Sequence, residues 1–142
     1  MSIVPSQILY LEHGSSRLYA EAIQVVSNRQ VCWARPTLLI QRLPENVSGP
    51  TRQAAIANAA QSFETSQLEM YDLEGCPDLI WPLAPFHIAY DLDFFSLLVQ
   101  IKITPDEDTQ PQGSSQLSEF IRSFCHTRTD IFDCNRASEL SS

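Results

Sequence analysis

Glycine is scarce in this sequence, with only four among 142 residues, and no two of them belong to one glycine-rich loop. A phosphate-binding loop or a dinucleotide fingerprint needs such a loop, so neither can be built here. Cysteine is also sparse, and no Cys-x-x-Cys pair of the kind that holds structural zinc occurs. Cys125, His126 and Cys134 are possible zinc ligands, but a packing role for Cys125 beside an apolar helical stripe explains it better. We therefore predict neither a metal site nor a cofactor.

Basic residues are few: nine Lys and Arg stand against 17 Asp and Glu, which gives a formal net charge of −8. Lys102 is the only lysine, and no two basic residues are adjacent. Nucleic-acid binding needs clustered basic groups to neutralise phosphates, and an anionic membrane surface would repel this chain. The charge balance argues against both partners and favours a neutral or basic protein. A homo-oligomer is kept as a further alternative.

Long apolar runs are missing as well. No stretch reaches the roughly 20 residues that span a bilayer, and the N-terminal residues do not resemble a signal peptide. We expect no membrane insertion and a cytoplasmic location, where thiols stay reduced. The hydrophobic content of 44% and the length of 142 residues are typical of one globular domain, covering 1–142.

The first part of the chain is rich in strand-forming residues with polar turns between them. Alternating patterns predict five strands, at residues 7–13, 18–26, 31–41, 68–73 and 78–82. The first three should form an antiparallel meander, and Pro36 should mark an edge or a bulge because proline cannot donate to a ladder. This is the pattern of a mainly β, α+β domain, either a small five-stranded SH3-like barrel or a curled open sheet. The alanine-rich part of an excursion at 44–66 indicates a short helix or a mobile segment.

The second part of the chain changes to helical patterns. We predict helices at about 86–102 and 115–126, which pack on the sheet, and a polar tail at 127–142. In the first helix, Leu92, Phe95, Leu98 and Val99 should face the sheet. In the second, apolar residues recur at the spacing of one helical face, namely Leu117, Phe120, Ile121 and Phe124.

No residue pattern supports catalysis. A thiol enzyme would need one of Cys32, Cys76 and Cys125 beside one of the three histidines, and nothing in the sequence brings such a pair together. We therefore predict no catalytic residue. A redox or thiol enzyme stays as one alternative. A barrel that binds single-stranded nucleic acid through aromatic side chains is the other, although it would need a basic groove.

Protein binding is the function that these exclusions leave. Aromatic and arginine side chains are the usual anchors of protein interfaces. The candidates for such anchors are Trp33, Arg35, Trp81, Phe86 and Phe94. Both tryptophans lie on predicted strands close to a proline, and the alternative for each is a place in the core. The expected function is that of a non-enzymatic adaptor, assembly factor or regulatory subunit.

Three segments, LYAEAIQVV at 18–26, VCWARP at 31–36 and DLIWP at 78–82, resemble a family of small cyanobacterial proteins. The resemblance covers about residues 7–101 and supplies no catalytic residues. It implies a protein of the cyanobacterial cytoplasm that assists or regulates a photosynthetic or carbon-fixing assembly.

Overall fold

The computed structural model describes residues 3–41, 56, 69–89, 93–103 and 109–127. These residues form six antiparallel strands and two α-helices, with one 3-10 turn at Ser27–Arg29. The strands are β1 (Ile8–His13), β2 (Ser16–Val26), β3 (Val31–Gln41), β4 (Glu69–Asp72), β5 (Leu79–Pro82) and β6 (His87–Ile88). The helices are α1 (Asp93–Ile103) and α2 (Thr109–Thr127). The prediction of a mainly β domain with C-terminal helices is confirmed.

The sheet is built around the long hairpin of β2 and β3. Its strand order is β4-β3-β2-β1-β6, so the predicted meander of β1, β2 and β3 is confirmed. β4 and β5 share the remaining edge of β3: β4 pairs with residues 38–41 and β5 with residues 31–34. Among the described strands, β4 and β5 do not pair with β6, so the sheet is open. Of the two predicted architectures, the curled open sheet fits the described residues, and closure into an SH3-like barrel is not seen in them.

Pro36 lies at an irregularity of β3, as its chemistry predicts. The pairing register with β2 shifts between Tyr19 and Ala20, where Leu38 and Pro36 are the successive partners and Thr37 is the extra residue. Pro36 also lies between the segments paired with β4 and with β5, so its missing N–H breaks no ladder there. A bulge turns the strand, which is how one long strand can pair with two short ones on the same edge.

Each face of the sheet carries its own hydrophobic core. α2 packs on the first face through buried Leu117, Phe120 and Phe124, which confirms the predicted helical stripe. α1 packs on the second face through Phe94 and Leu97. The second core also contains Tyr19, Leu38, Ile40 and Ile56. Ile56 is the only described residue of the predicted excursion, and the rest of that prediction lies outside the described residues, as does the tail beyond Thr127.

The orientation of α1 differs from the prediction. Phe95 and Val99 are exposed, while Phe94 and Leu97 are buried and, of the expected residues that are described, only Leu98 is partly buried against the core. Leu92 lies outside the described residues. α1 begins at Asp93, and His87–Ile88 form the short strand β6 rather than the start of a helix. Seven of the eleven positions of α1 are apolar and they occur on most sides of the helix. Its sequence therefore does not define one face, and the packing on the sheet decides which side is buried.

Gly113 brings the first turns of α2 against the end of β4. A Cβ atom on this residue would lie 2.7 Å from the backbone oxygen of Asp72, which is closer than real Cβ atoms approach. The helix can therefore contact the strand at this point only because the residue has no side chain. The helix begins at Thr109, several residues before the predicted start at about 115.

We expect Gly113→Ala to destabilise the fold although alanine is the better helix former. The intrinsic gain is about 1 kcal/mol, and forcing an extra carbon into a closed contact costs about 1–3 kcal/mol, so a net loss of about 1 kcal/mol should appear in urea unfolding. Ser115→Ala, at an exposed position of the same helix, is the control and should be neutral or slightly stabilising. Equal or higher stability of Gly113→Ala would show that α2 does not approach β4 this closely.

Candidate functional site

The five residues predicted to bind a partner divide into two groups. Trp81, Phe86 and Phe94 are buried, the first two in the core of the first face and Phe94 in that of the second. As placed, these three side chains pack within the domain and are not available to a partner. Trp33 and Arg35 lie on β3 with exposed side chains, 37% for Trp33 as a residue and 55% for the Arg35 side chain. Only these two keep the exposure that binding requires.

Trp33 faces a second exposed apolar residue across the sheet. The register pairs it with Ile80 of β5, which is 70% exposed. Side chains paired in this way lie about 5 Å apart, so the two form one continuous apolar surface. We call this surface, together with Arg35 and the carboxylate of Asp78, the Trp33 patch.

Asp78 fixes the polar side of the Trp33 patch. Its carboxylate accepts a hydrogen bond of 2.8 Å from the indole Nε1 of Trp33 and another of 3.3 Å from Nε of Arg35. The bond from the Trp33 indole, with the bond and charge of Arg35, holds the pKa of Asp78 below its ordinary value. Asp78 is thus a carboxylate at neutral pH, and it holds two side chains from β3 in fixed positions. The indole cannot rotate without losing this bond.

The Trp33 patch occupies the half of the second face that α1 does not cover. α1 packs over Tyr19, Leu38 and Ile40, which lie beyond the bulge at Pro36. On the near side of the bulge, Gln24 of β2 and Ile80 of β5 flank Trp33 in one row across the three strands. Within the described residues, α1 therefore buries one half of this sheet face, and Trp33 and Ile80 keep exposed surface on the other half.

A small groove separates α1 from the Trp33 patch. It has a volume of about 180 Å³, and Arg35, Pro36 and Thr37 line one side while Leu98 and Lys102 line the other. Lys102 forms ion pairs with Asp72, at 3.0 Å, and with Glu74. Burial alone would lower the pKa of Lys102, but the hydrogen bonds to Glu74 and Asp72 outweigh it and raise that pKa. An engineered cavity of about 150 Å³ holds one benzene ring, so this groove fits one side chain and is below the size usual for a cofactor.

A larger cleft lies beside the turn between β2 and β3, where β5 ends. Its volume is about 500 Å³, within the range of small-molecule sites. No ionisable side chain is among the residues that line it, which are Ile3, Val25, Ser27, Gln30, Pro82, Leu83 and Ala84. The described residues that line it therefore offer no acid or base to a bound molecule, and none of them could activate the hydroxyl of Ser27.

Two of the three described thiols, those of Cys32 and Cys76, are poorly suited to nucleophilic attack. Burial raises the pKa of Cys32, and burial together with the charge of Asp72 raises the pKa of Cys76, so both are thiols at neutral pH. His87 stacks on Tyr10 on the second face, whereas Cys32 belongs to the core of the first. Over the part of the chain that the structure describes, no three His, Cys, Asp or Glu side chains come together to hold a metal ion.

Ile80 and Asp78 are the residues of the Trp33 patch that the sequence did not identify. The signal for Ile80 is the alternation in β5, where a buried Trp81 places its neighbour on the opposite face. Asp78 could not be found in this way, because its bond to Trp33 joins positions 45 residues apart. The sequence does not show which strand pairs with β3, so it does not show that Asp78 lies beside Trp33.

Comparison with known proteins gives no relative for this chain. None of the helices in the described residues is long and apolar enough to cross a membrane. No protein-family model, no curated protein and no solved structure matches the sequence or the fold.

Proposed function

We propose that this protein is a non-enzymatic, cytoplasmic protein-binding domain, an adaptor, assembly factor or regulatory subunit, and that the Trp33 patch is its docking surface. The observation that carries the proposal is the pairing of Trp33 with Ile80 on the uncovered half of a sheet face. Apolar side chains exposed singly are common on protein surfaces, but adjacent ones rimmed by polar groups are typical of interaction sites.

The chemistry of the Trp33 patch supports docking. Tryptophan and arginine are the residues most enriched among those that dominate binding energy. Trp33 and Arg35 are held in place by Asp78, so little side-chain entropy would be lost when a partner binds. All four residues belong to paired strands or lie directly next to one, which gives the surface a rigid base.

We further propose that the partner belongs to a photosynthetic or carbon-fixing assembly. The support is the resemblance to small cyanobacterial proteins, in which the segments 31–36 and 78–82 contain the four residues of the Trp33 patch. This part of the proposal rests on association and not on geometry.

The test is capture of a partner from a cyanobacterial lysate by the tagged full-length chain and by the double variant Trp33→Ser, Ile80→Ser. A hot-spot tryptophan contributes about 2 kcal/mol or more, which is roughly thirtyfold in affinity. We expect a stoichiometric partner with the natural chain and its near-complete loss with the variant. Both substitutions are at exposed positions, and unfolding in urea verifies that the variant is folded.

The matched control is Phe95→Ser, Val99→Ser, which removes the exposed apolar pair on α1 one helical turn apart. Capture should be unchanged in this control. Loss of the partner only in the α1 variant would move the docking surface to α1. A natural chain that elutes alone at physiological salt would contradict the proposed function as a whole.

Neither alternative function has an observation in its favour. The thiol enzyme needs a thiolate near neutral pH, and the raised pKa values of Cys32 and Cys76 oppose one at two of its three candidate cysteines. Binding of single-stranded nucleic acid needs a basic groove beside exposed aromatic rings. In the described part of the chain, the basic side chain of the Trp33 patch is Arg35, and its charge is neutralised by Asp78.

A further inference from the structure

The surroundings of the Trp33 patch are negatively charged. Arg35 is paired with Asp78, and Lys102 is paired with Asp72 and Glu74. Glu21 lies opposite Arg35 in the pairing of β2 with β3, and it makes no hydrogen bond or ion pair within the part of the chain that is described. Counted over these described residues, four carboxylates against two basic groups leave an excess of two negative charges near the Trp33 patch.

The bond to Asp78 also determines what the Trp33 indole can offer. The indole has one hydrogen-bond donor, its Nε1–H, and this donor is occupied. What is left is the face of the ring, which binds apolar groups and attracts cations through its quadrupole. Tryptophan is the best of the aromatic side chains for this purpose. A carboxylate bonded to the edge of the ring adds a nearby counter-charge for a cation that lies on the face.

We infer that the Trp33 patch takes a basic and apolar segment of a partner protein, in which an arginine or lysine lies on the Trp33 ring and a neighbouring apolar side chain covers Ile80. The cation is attracted by the carboxylates of Asp78 and Glu21. This inference rests on the proposed function and specifies the chemistry of its partner.

Charge complementarity favours a basic segment over the two other candidate occupants, an acidic segment and a second copy of the chain. An acidic segment would meet Glu21 and Asp78, and Arg35 alone would have to compensate for both. A second copy of the chain carries the same net charge of −8, so it would be repelled at long range. A basic segment is attracted both by the whole protein and by the patch.

The inference is tested with two blocked synthetic peptides, Gly-Ser-Leu-Arg-Ser-Gly and Gly-Ser-Leu-Glu-Ser-Gly, titrated into the full-length protein. The readout is the NMR shift of the Trp33 indole N–H, assigned with the variant Trp33→Phe. A cation on the ring and its counter-charges together contribute about 1–2 kcal/mol, so we expect the arginine peptide to bind about tenfold more tightly. The preference should weaken as salt is added.

Variants that change the charge of one glutamate, either near the Trp33 patch or far from it, show whether the preference for the arginine peptide depends on the local charge. Glu21→Lys should abolish most of the preference for the arginine peptide, and Glu21→Gln should reduce it. Glu119→Lys makes the same change of charge on an exposed position of α2, over the opposite face of the sheet, and should leave the preference unchanged.

Equal binding of the two peptides, tighter binding of the glutamate peptide, or no shift of the Trp33 signal with either would overturn the inference. The proposed function would survive any of these results if the Trp33→Ser, Ile80→Ser variant still loses its captured partner. If that variant keeps its partner, the docking surface itself is wrong. The two proposals therefore fail in different experiments.

Discussion

Replacing Phe94 with alanine should lower the free energy of unfolding by about 3–5 kcal/mol, whereas the same change at Phe95 should cost less than about 1 kcal/mol. The two phenylalanines are neighbours on α1, but Phe94 is 2% exposed and Phe95 is 51% exposed. The ring of Phe94 lies 5.1 Å from that of Tyr19, in the core that attaches α1 to the second face. Alanine at this position leaves a cavity that the strands cannot fill, because β2 and β3 are fixed by their pairing.

Urea unfolding followed by circular dichroism measures both variants. Phe95→Ala is the control, since it removes the same atoms from the same helix and has a similar effect on helix propensity. Similar losses at the two positions would mean that α1 is not oriented on the sheet as described. A larger loss at Phe95 would restore the orientation that the sequence predicts.

This pair of residues shows where prediction from the sequence stops. The stripe of α2, with Leu117, Phe120 and Phe124, is clear because polar residues separate the apolar ones, and the structure buries these three. In α1 the apolar residues occur on most sides of the helix, so several orientations bury similar amounts of apolar surface. The face that packs is chosen by the shape of the sheet, which sequence periodicity does not contain.

The positions of the strands were easier to predict from the sequence than which of their side chains are exposed in the Trp33 patch. The alternation of apolar and polar residues located β1 to β5 within a few residues. The proline at position 36 correctly predicted the bulge in β3. Trp33 and Trp81 have similar sequence surroundings, since both lie on a strand close to a proline. Only the register shows that one faces the open half of the second face and the other lies against Phe124 of α2 at a ring separation of 5.4 Å. Burial of a strand residue therefore depends on what covers its face.

Arg17 carries the second large prediction. Its side chain is 3% exposed, and its guanidinium lies over the ring of Tyr10, 4.2 Å from the centroid. It donates one hydrogen bond to Tyr19 Oη, at 3.2 Å, and one to Glu12 Oε2, at 3.1 Å. Burial alone would lower the pKa of Arg17, but the interactions with Tyr19 and Glu12 outweigh it and raise that pKa. The group is thus a charged residue in the interior, stabilised by specific partners.

We expect Arg17→Ala to cost about 3 kcal/mol of unfolding free energy, because removing the buried member of a partly buried ion pair takes the counter-charge from Glu12 and the packing from Tyr10. Arg35→Ala is the control: its ion pair with Asp78 is on the surface, so the loss should stay below about 1 kcal/mol. The double variant Arg17→Met, Glu12→Gln should lose less than Arg17→Ala, since it replaces both charges and keeps much of the volume. Chemical unfolding of the three variants decides the matter. If Arg17→Ala is no less stable than Arg35→Ala, the guanidinium does not hold the first hairpin together, and the second face is stabilised by Phe94 and its apolar neighbours alone.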